Sequence, residues 1–529
     1  MRNAYSVSAV RSAESALLAQ QSHDDELMRL AARAVAATAE SMVMDSAPRR
    51  ITVLVGPGGN GGDGLYAGAF LAEEGYGVEA ILVADAAHDP ALQAFTAAGG
   101  TITETPRAQN TGLLIDAVAG LNSTRGLSGA ALAAYRAAKQ LDIPVLAVDI
   151  PSGINADTGI AADNAVEATI TVSFGWARAG HIFAPECGTV VLSDLQLPHA
   201  PRSFAEELTA TTEPVGYIAN EPTIDLPFQW PTEPVLADDR GRVTAPKPVG
   251  CTGPIVDPTP RASSTKYTGG VTAICAGSSA YPGAGILAAT GAVRATPSMV
   301  RVIDNDAVVP HLPEVVPHPS AEDKVHAQAW VVGPGRGTDE AAVRELRAVL
   351  DRGLPTILDA DALTLLAQSA DLRDSVRAHP RVILTPHAGE FRRLYEATFG
   401  RELDVSEGVG PRQRELAEDL DCFILHKGRI TTVTAPGHAI YGMNAGHSYA
   451  ATAGSGDVLS GILGATIAQV DHEKADAEYI IMEILHAAAL HQHAAAIAAH
   501  TPDGFGICSA SQIAAAMPQS IARLLVMQR

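Results

Sequence analysis

An alternation of short apolar strands and helices runs twice along the chain and lapses once between, and this pattern limits the possible folds more than any other feature. In the first run the strand-like segments are ITVLVG (from Ile51), VEAILVA (from Val78), LLIDAV (from Leu113) and PVLAVDI (from Pro144). Helical stretches such as 65–74 and 130–141 separate them, and ATITVSF and TVVLSDL follow. In the second run VTAICAG, SMVRVID, AQAWVVG, LPTILDAD, RVILTPH and CFILHKG are punctuated by helices, and the chain ends in a helical region. Strands this short and apolar must be covered on both faces, which a mainly parallel, doubly wound sheet provides. From about Thr211 to Tyr267, EPTIDLPFQWPTEPV and TAPKPVGCTGPIVDPTPRASS are rich in proline and carry no period, as a connection between domains does. The chain of 529 residues also exceeds what one core serves. It reads as α/β, two tandem doubly wound domains over 1–215 and 235–529, with a linker over 216–234.

Composition narrows the function classes. With 47% hydrophobic and 18% charged residues the chain is globular, not disordered. A formal net charge of −22 excludes broad nucleic-acid binding, which needs basic surface; an anionic substrate would rely on local backbone amides and helix N-termini. No uninterrupted apolar run reaches bilayer length and the first residues lack a secretion pattern, so no membrane partner is expected. The five cysteines (Cys187, Cys251, Cys275, Cys422, Cys508) lack C-x-x-C spacing and suit a reducing cytoplasm better than disulfides or zinc. In LHAAALHQHAAAIAAH, His486, His493 and His500 stand about 10.5 Å apart along a helix, too far for one zinc ion with ligands at about 2 Å. They read as a buried or interface face, and a homo-oligomer is expected. Asp24, Asp25 and Glu26 read as a solvated helix start, and Trp176, Trp230 and Trp330 as packing residues.

The segment from Gly56 to Gly64 follows a strand, opens a helix and matches G-x-G-x-x-G at Gly56, Gly58 and Gly61. Such a loop brings backbone amides to a phosphate, although alone the match is a weak signal and a tight turn is the lesser alternative. Asp85, near the place of a ribose-binding acid, keeps a dehydrogenase open. Asp116 ends one strand, ahead of AGLNSTRG; Asp149 ends another, ahead of Pro151-Ser152-Gly153. Strand C-termini converge on the ligand crevice of an open α/β sheet, so Asn60, Asp116, Asp149 and Ser152 can meet there. Taken singly, each carboxylate also reads as a cap for the next helix or turn.

The ordered segments GPGGNGGDGLYAGAFLAEEGY, DAVAGLNSTRGLSG, VLAVDIPSGINADTG and ITVSFGWARAGH make residues 10–200 resemble the NAD(P)H-hydrate epimerase family. The resemblance implies a Rossmann-like fold without redox chemistry. It implies a potassium ion held by Asn60, Asp116 and Ser152, and a hydrated cofactor bound by Gly59, Asn60, Gly61, Gly62 and Asp63. Gly120, Leu121, Asn122, Ser123, Thr124, Arg125 and Gly126 would bind it too, with Asp149 as the acid/base. The chain departs from the family in having Gly59-Asn60 where two asparagines are usual, and Arg178 where a lysine is usual; Arg178 keeps the charge without a lysine's titratability.

In the second run, Gly454-Ser455-Gly456-Asp457 precedes VLSGILGATIAQ. Amides at a helix start beside a carboxylate supply what phosphoryl transfer to a hydroxyl needs, an anion hole and a base. Ser455 and Asp457 could instead be ordinary N-cap residues. VVGPGRGTDE, TILDADALTLLA, ILTPHAGEF, HKGRITTVT and AGSGDVLSG occur in the order of ribokinase-like small-molecule kinases. STKYTGGVTAICAGSSAYPGAGILAATGAVRAT makes residues 235–520 most similar to the NAD(P)H-hydrate dehydratase branch.

That second resemblance implies that ADP or ATP, with Mg²⁺, phosphorylates the hydroxyl at C6 of the hydrated ring, after which phosphate leaves. Asp457 would be the base and the amides of residues 453–456 would stabilise the moving phosphoryl group. Ala284, Gly337 (or its neighbour Gly335), His387 and Asp457 would contact the hydrate. Lys427, Gly428, Arg429, Ile430, Thr431 and Gly456 would contact the nucleotide. The expectation is a bifunctional repair enzyme for the hydrates NADHX and NADPHX, which interconverts R and S epimers and dehydrates the S form. The alternative is a vitamin or sugar kinase fused to a non-catalytic Rossmann-like binding module.

Overall fold

The structure is a computed structural model that describes residues 1–43, 50–104, 111–121, 125–219, 236–237, 243–244, 257–296, 298–379 and 381–527. They form two compact units, one built on Met1–Asn220 and the other on Gly250–Arg529.

The main sheet of the first unit has the order Thr101–Ile102, Gly77–Leu82, Arg50–Val55, Leu113–Ala117, Val145–Val148, Ile170–Phe174, Thr189–Ser193. Every pairing in it is parallel. The two-residue period of a strand divides its side chains between two cores. Val53, Val55, Leu113 and Ile115 face the core shared with helices Val7–Leu18, Glu26–Val43 and Gly59–Glu73. Leu54, Ile81 and Leu114 face the opposite core with Leu127 and Tyr135. Strand order reverses between Arg50–Val55 and Leu113–Ala117, and an open α/β sheet offers its ligand crevice at such a point.

The helix expected over 65–74 begins earlier, at Gly59, so Asn60, Gly61, Gly62 and Asp63 lie on its first turns and not in a loop. Close packing explains this start. A Cβ on Gly61 would lie 1.9 Å from the Gly56 carbonyl oxygen, and one on Gly56 would lie 2.1 Å from that of Val118. The second expected helix, over 130–141, is Gly129–Gln140.

Residues 216–218, assigned above to a linker, form the strand Gly216–Ile218, antiparallel to Arg2–Tyr5. Arg2–Tyr5 also pairs in parallel with Ala177–Arg178. Order in this unit therefore extends through Ile218. A short strand paired with the chain's first residues leaves no period of its own to read. The rest of the expected linker, 220–234, lies outside the described residues, as do Trp230 and Cys251.

In the second unit, Val316–His318, Val300–Ile303, Thr272–Cys275, Ala329–Val332, Thr356–Leu358, Val382–Leu384 and Phe423–His426 lie side by side in that order, all parallel. Ile430–Thr434 and Ile440–Asn444 continue the sheet antiparallel. Order reverses here between Thr272–Cys275 and Ala329–Val332. Helix Ser455–Ile467 is apolar almost all round and almost wholly buried, as such a helix must be. It meets helix Pro282–Ala295 through glycines: a Cβ on Gly461 would lie 1.9 Å from the Ala288 oxygen, and one on Gly291 2.3 Å from the Val458 oxygen.

Among the described residues one helix, Ala477–Ala499, is long and apolar enough to cross a membrane, and most of it is buried within its unit. His486 and His493 are buried on it, with His493 Nδ1 3.0 Å from Ser520 Oγ, whereas His500 is exposed at its end. Asp25 is not simply solvated: it accepts from the Tyr66 hydroxyl at 2.8 Å and lies 3.4 Å from His88 Nε2. Trp330 is fully buried, and Trp176 Nε1 donates to Ala205 O and Thr209 Oγ1. Cys187, Cys275, Cys422 and Cys508 are unpaired.

Candidate active sites

The first site forms at the reversal of strand order. Asn60 Nδ2 donates to the carbonyls of Ala119 at 2.5 Å and Val148 at 2.8 Å. Two carbonyl acceptors fix the amide orientation, so Asn60 Oδ1 points away from them. Asp116 accepts from Ser152 twice, from its backbone N–H at 2.7 Å and its hydroxyl at 2.6 Å. Ser152 Oγ in turn accepts from Ala119 N at 3.1 Å. Asn60, Asp116 and Ser152 are thus joined through the backbone of one residue, Ala119. Asp116 is fully buried with no cationic partner among the described residues; burial raises its pKa, and the bonds from Ser152 and Val118 oppose that.

Asp149 follows strand Val145–Val148 in the left-handed region, at φ 65°, a conformation uncommon outside glycine. Its carboxylate pairs with Arg178 at 2.7 Å and accepts from Ser173 Oγ at 3.0 Å. His181 Nδ1 accepts from the Arg178 N–H at 3.1 Å, which leaves the proton on Nε2 to be donated to the Asp149 carbonyl at 3.0 Å. Burial lowers the His181 pKa to about 4, so the ring is neutral. Added Cβ atoms at Gly58 and Gly59 would meet nothing within 4 Å, so this end of the helix opens on free space. Gly120 and Leu121 stand in the loop after strand Leu113–Ala117, and Gly120 is close to Asn60 Oδ1. Arg125 is exposed and Gly126 packs against the Asp163 carbonyl. Asn122, Ser123 and Thr124 lie outside the described residues. Asp85 is exposed beyond strand Gly77–Leu82, away from any of these contacts.

The second site gathers around the start of helix Ser455–Ile467. Gly454, at φ 82°, is its N-cap and makes no side-chain cap; Asp457, in the first turn, has no hydrogen-bond partner among the described residues. The Ser455 amide donates to Thr452 O at 3.2 Å, so it is not free to hold an anion as expected. The amides of Ala453, Gly454 and Gly456 have no acceptor among the described residues. Burial first, then the neighbouring Asp359 carboxylate, push Asp457 up to about 7; Lys427 opposes them and Asp361 adds to them. Lys427 Nζ pairs with Asp359 at 2.6 Å, and Ser460 Oγ donates to the other oxygen of Asp359 at 2.6 Å. Asp361 accepts from the Gly337 amide at 2.8 Å, and Ala360 between the two aspartates sits at φ 52°.

Gly335 packs on Ala284, at the start of helix Pro282–Ala295. His387 caps helix Ala388–Phe399, its Nδ1 accepting from Gly389 at 3.0 Å, and its backbone bridges to Lys427. A cavity of about 450 Å³ opens beside these groups, lined among others by His387, Lys427, Gly428, Arg429, Thr431 and Gly456. Ile430 begins the adjoining strand and does not line it. Buried His491 and Ser455 also line the cavity, with His491 Nε2 3.0 Å from Ser455 Oγ.

Two family descriptions match separate stretches of the chain. Residues 24–180 match the family described as YjeF-related protein N-terminus, and residues 272–514 match NAD(P)H-hydrate dehydratase. A bifunctional NAD(P)H-hydrate repair enzyme of Corynebacterium glutamicum is 36% identical, with 99% of each chain covered. The chain belongs to this family. The enzyme of the same name from Mycobacterium tuberculosis is 41% identical over 88% of this chain and 89% of its own. A solved structure of the ADP/ATP-dependent NAD(P)H-hydrate dehydratase of Bacillus subtilis, co-crystallized with ATP/Mg²⁺, is 27% identical at a TM-score of 0.42. It covers 50% of this chain and 94% of its own.

The bifunctional NAD(P)H-hydrate repair family supplies the frame, and this chain's contacts add residues to which the sequence reading gave no role. In the first unit these are Ser173 and His181, both inside ITVSFGWARAGH. In the second they are Asp359, Asp361, Ser460 and His491. For Asp359 and Asp361 a signal was available: two aspartates around one alanine at the end of a strand in LPTILDAD. Ser460 and His491 sit on apolar helical stretches, where nothing local distinguishes them from packing residues.

Proposed function

We propose that the chain restores hydrated NADH and NADPH in two steps. The unit on Met1–Asn220 interconverts the R and S hydrates. The unit on Gly250–Arg529 uses ADP or ATP to dehydrate the S form, returning NADH or NADPH with phosphate and AMP or ADP. The observation that carries the reading is Asp457, whose pKa is pushed up to about 7 and whose neighbours in the chain are helix-start amides without an acceptor among the described residues, one of them on Gly456, which lines the cavity. A base with a pKa close to the working pH is the efficient choice for taking a hydroxyl proton.

In this reading Asp457 takes the proton from the C6 hydroxyl as that oxygen attacks the nucleotide's terminal phosphorus. The amides of Ala453, Gly454 and Gly456 receive the moving phosphoryl charge. The nucleotide lies along Lys427–Thr431 and Gly456, bringing Mg²⁺ as its phosphate complex. Ala284, Gly337, His387 and Asp457 hold the hydrate. Gly335, packed on Ala284, shapes the same wall.

In the epimerase unit the hydrate lies on residues 59–63 and 120–126, with Asp149 as acid/base. Potassium fits this site because Asp116 is a buried carboxylate with no cationic partner among the described residues and Asn60 Oδ1 and Ser152 Oγ are oxygen donors beside it. Asn60, Asp116 and Ser152 would hold the ion, which would help offset the charge of the substrate phosphates. A cytoplasmic location belongs to the same reading, in keeping with four unpaired cysteines.

The test is to incubate the protein with mixed R and S hydrates of NADH and follow the reduced-nicotinamide absorbance. The expected result is recovery of both epimers with ADP or ATP and Mg²⁺, none without nucleotide, and loss of R consumption when potassium is withdrawn. A stable phosphorylated product with no return of absorbance would favour the kinase alternative.

A further inference from the structure

We propose that Asp63 is a second catalytic residue of the epimerase site, the proton donor that works opposite Asp149. The proposal rests on the epimerase reading above and deepens it. Asp63 lies in the first turns of helix Gly59–Glu73 and exposes 8% of its surface. Its carboxyl has no hydrogen-bond or ion-pair partner among the described residues, and a side chain serving only the fold would normally have one. The charged groups that bear on it are Asp149, Glu14 and Asp25, all acidic.

Asp149 has the opposite surroundings, with Arg178 at 2.7 Å and Ser173 at 3.0 Å. One site therefore holds two carboxyl groups, one in an ion pair and one buried among like charges. Such a pair divides into a base and an acid. Burial, reinforced by Asp149, Glu14 and Asp25, raises the Asp63 pKa above the usual carboxylate range. Glu14 is also raised, but it is exposed on helix Val7–Leu18, and Arg178 and Arg11 oppose its shift. Asp63 is the better-placed donor.

The chemistry balances without a co-reactant. The C6 hydroxyl of the hydrate sits on a carbon bonded to ring N1. Asp63 gives its proton to that oxygen, the C6–O bond breaks and its electron pair leaves with water, while the N1 lone pair forms N1=C6. Water then adds to the opposite face: a new C6–O bond forms, the N1=C6 pair returns to N1, and Asp149 takes the proton. Asp63 ends ionised and Asp149 protonated, which is the arrangement required for the reverse inversion, and exchange with solvent resets the pair.

The experiment uses the full-length protein without nucleotide, pure R hydrate of NADH, and H₂¹⁸O as solvent. Chromatography follows the appearance of S hydrate and mass spectrometry follows label at C6; equilibrium dialysis measures hydrate binding. Wild type is expected to equilibrate the epimers and place one ¹⁸O per inversion. Asp63→Asn should invert about 10²–10⁴-fold more slowly while binding hydrate within a few-fold. Asp63→Glu should recover part of the rate. The proposal is overturned if Asp63→Asn inverts within tenfold of wild type, if inversion occurs without label, or if the lost rate follows lost binding in both variants. If Asp63→Asn does not fold, Asp63→Glu decides alone: intact binding with no rate above buffer overturns the proposal. Failure of wild type to invert the hydrate would instead overturn the epimerase reading itself.

Discussion

Asp457 is raised first by burial and then by a residue 68 positions from its own lysine partner: Asp359 repels it electrostatically and also holds Lys427. The sign of the pH dependence follows. A base acts only when ionised, so dehydration should rise with pH up to about 7 and then level off. Asp359→Asn removes a raising charge and frees Lys427, which lowers the Asp457 pKa; both effects move that limb to lower pH. Asp457→Asn should slow dehydration about 10²–10⁴-fold with nucleotide binding largely retained. Initial rates against pH for wild type and both variants, with calorimetric nucleotide binding, check this. Epimerisation should be unchanged in each.

Helix Gly59–Glu73 is placed by contact at its glycines, and the two ends of that contact separate packing from mere flexibility. Gly61→Ala would drive a methyl into the Gly56 carbonyl at 1.9 Å, backbone that cannot rotate away. Overpacking of this kind costs about 1–3 kcal/mol. Chemical unfolding of the first unit should show that loss together with slower epimerisation, while dehydration of pure S hydrate continues. Gly59→Ala, which meets nothing within 4 Å, should change stability by about 0.5 kcal/mol at most. In the second unit the same device, Gly461 against Ala288 and Gly291 against Val458, packs the helix that opens with the GSGD turn against the middle of helix Pro282–Ala295. Both active-site turns are therefore held by backbone contact between elements, which a local reading of glycine-rich sequence takes for a loop.

Each unit has its own parallel sheet and its own cores, with the first ordered through Ile218. Separate expression of residues 1–219 and 257–529 should therefore give two folded proteins. The first should invert the hydrate without nucleotide. The second should dehydrate the S form and then stall, leaving R to its slow spontaneous inversion; mixing the halves should restore consumption of both. Equal use of R and S by the second half alone would show that the labour is not divided in this way.

The order of apolar strands determined the fold class, because a strand buried on both faces has to be continuously apolar and a parallel neighbour has to be reached through a helix. The same order put Asn60, Asp116, Asp149, Ser152 and Asp457 at strand or helix ends, where α/β sheets bind ligands. Tertiary structure alone decided what those residues became. Arg178 and Ser173 reach Asp149 from two other strands, Lys427 reaches Asp359 across the sheet, and Gly216–Ile218 finds the first residues of the chain. Asp63 and Asp149 read as similar carboxylates in the sequence, but the fold buries one without a partner among the described residues and gives the other a guanidinium. Spacing along a chain specifies which face or end a side chain occupies. Its protonation depends on how much water the fold removes and which distant charges it brings near, and neither is a local property.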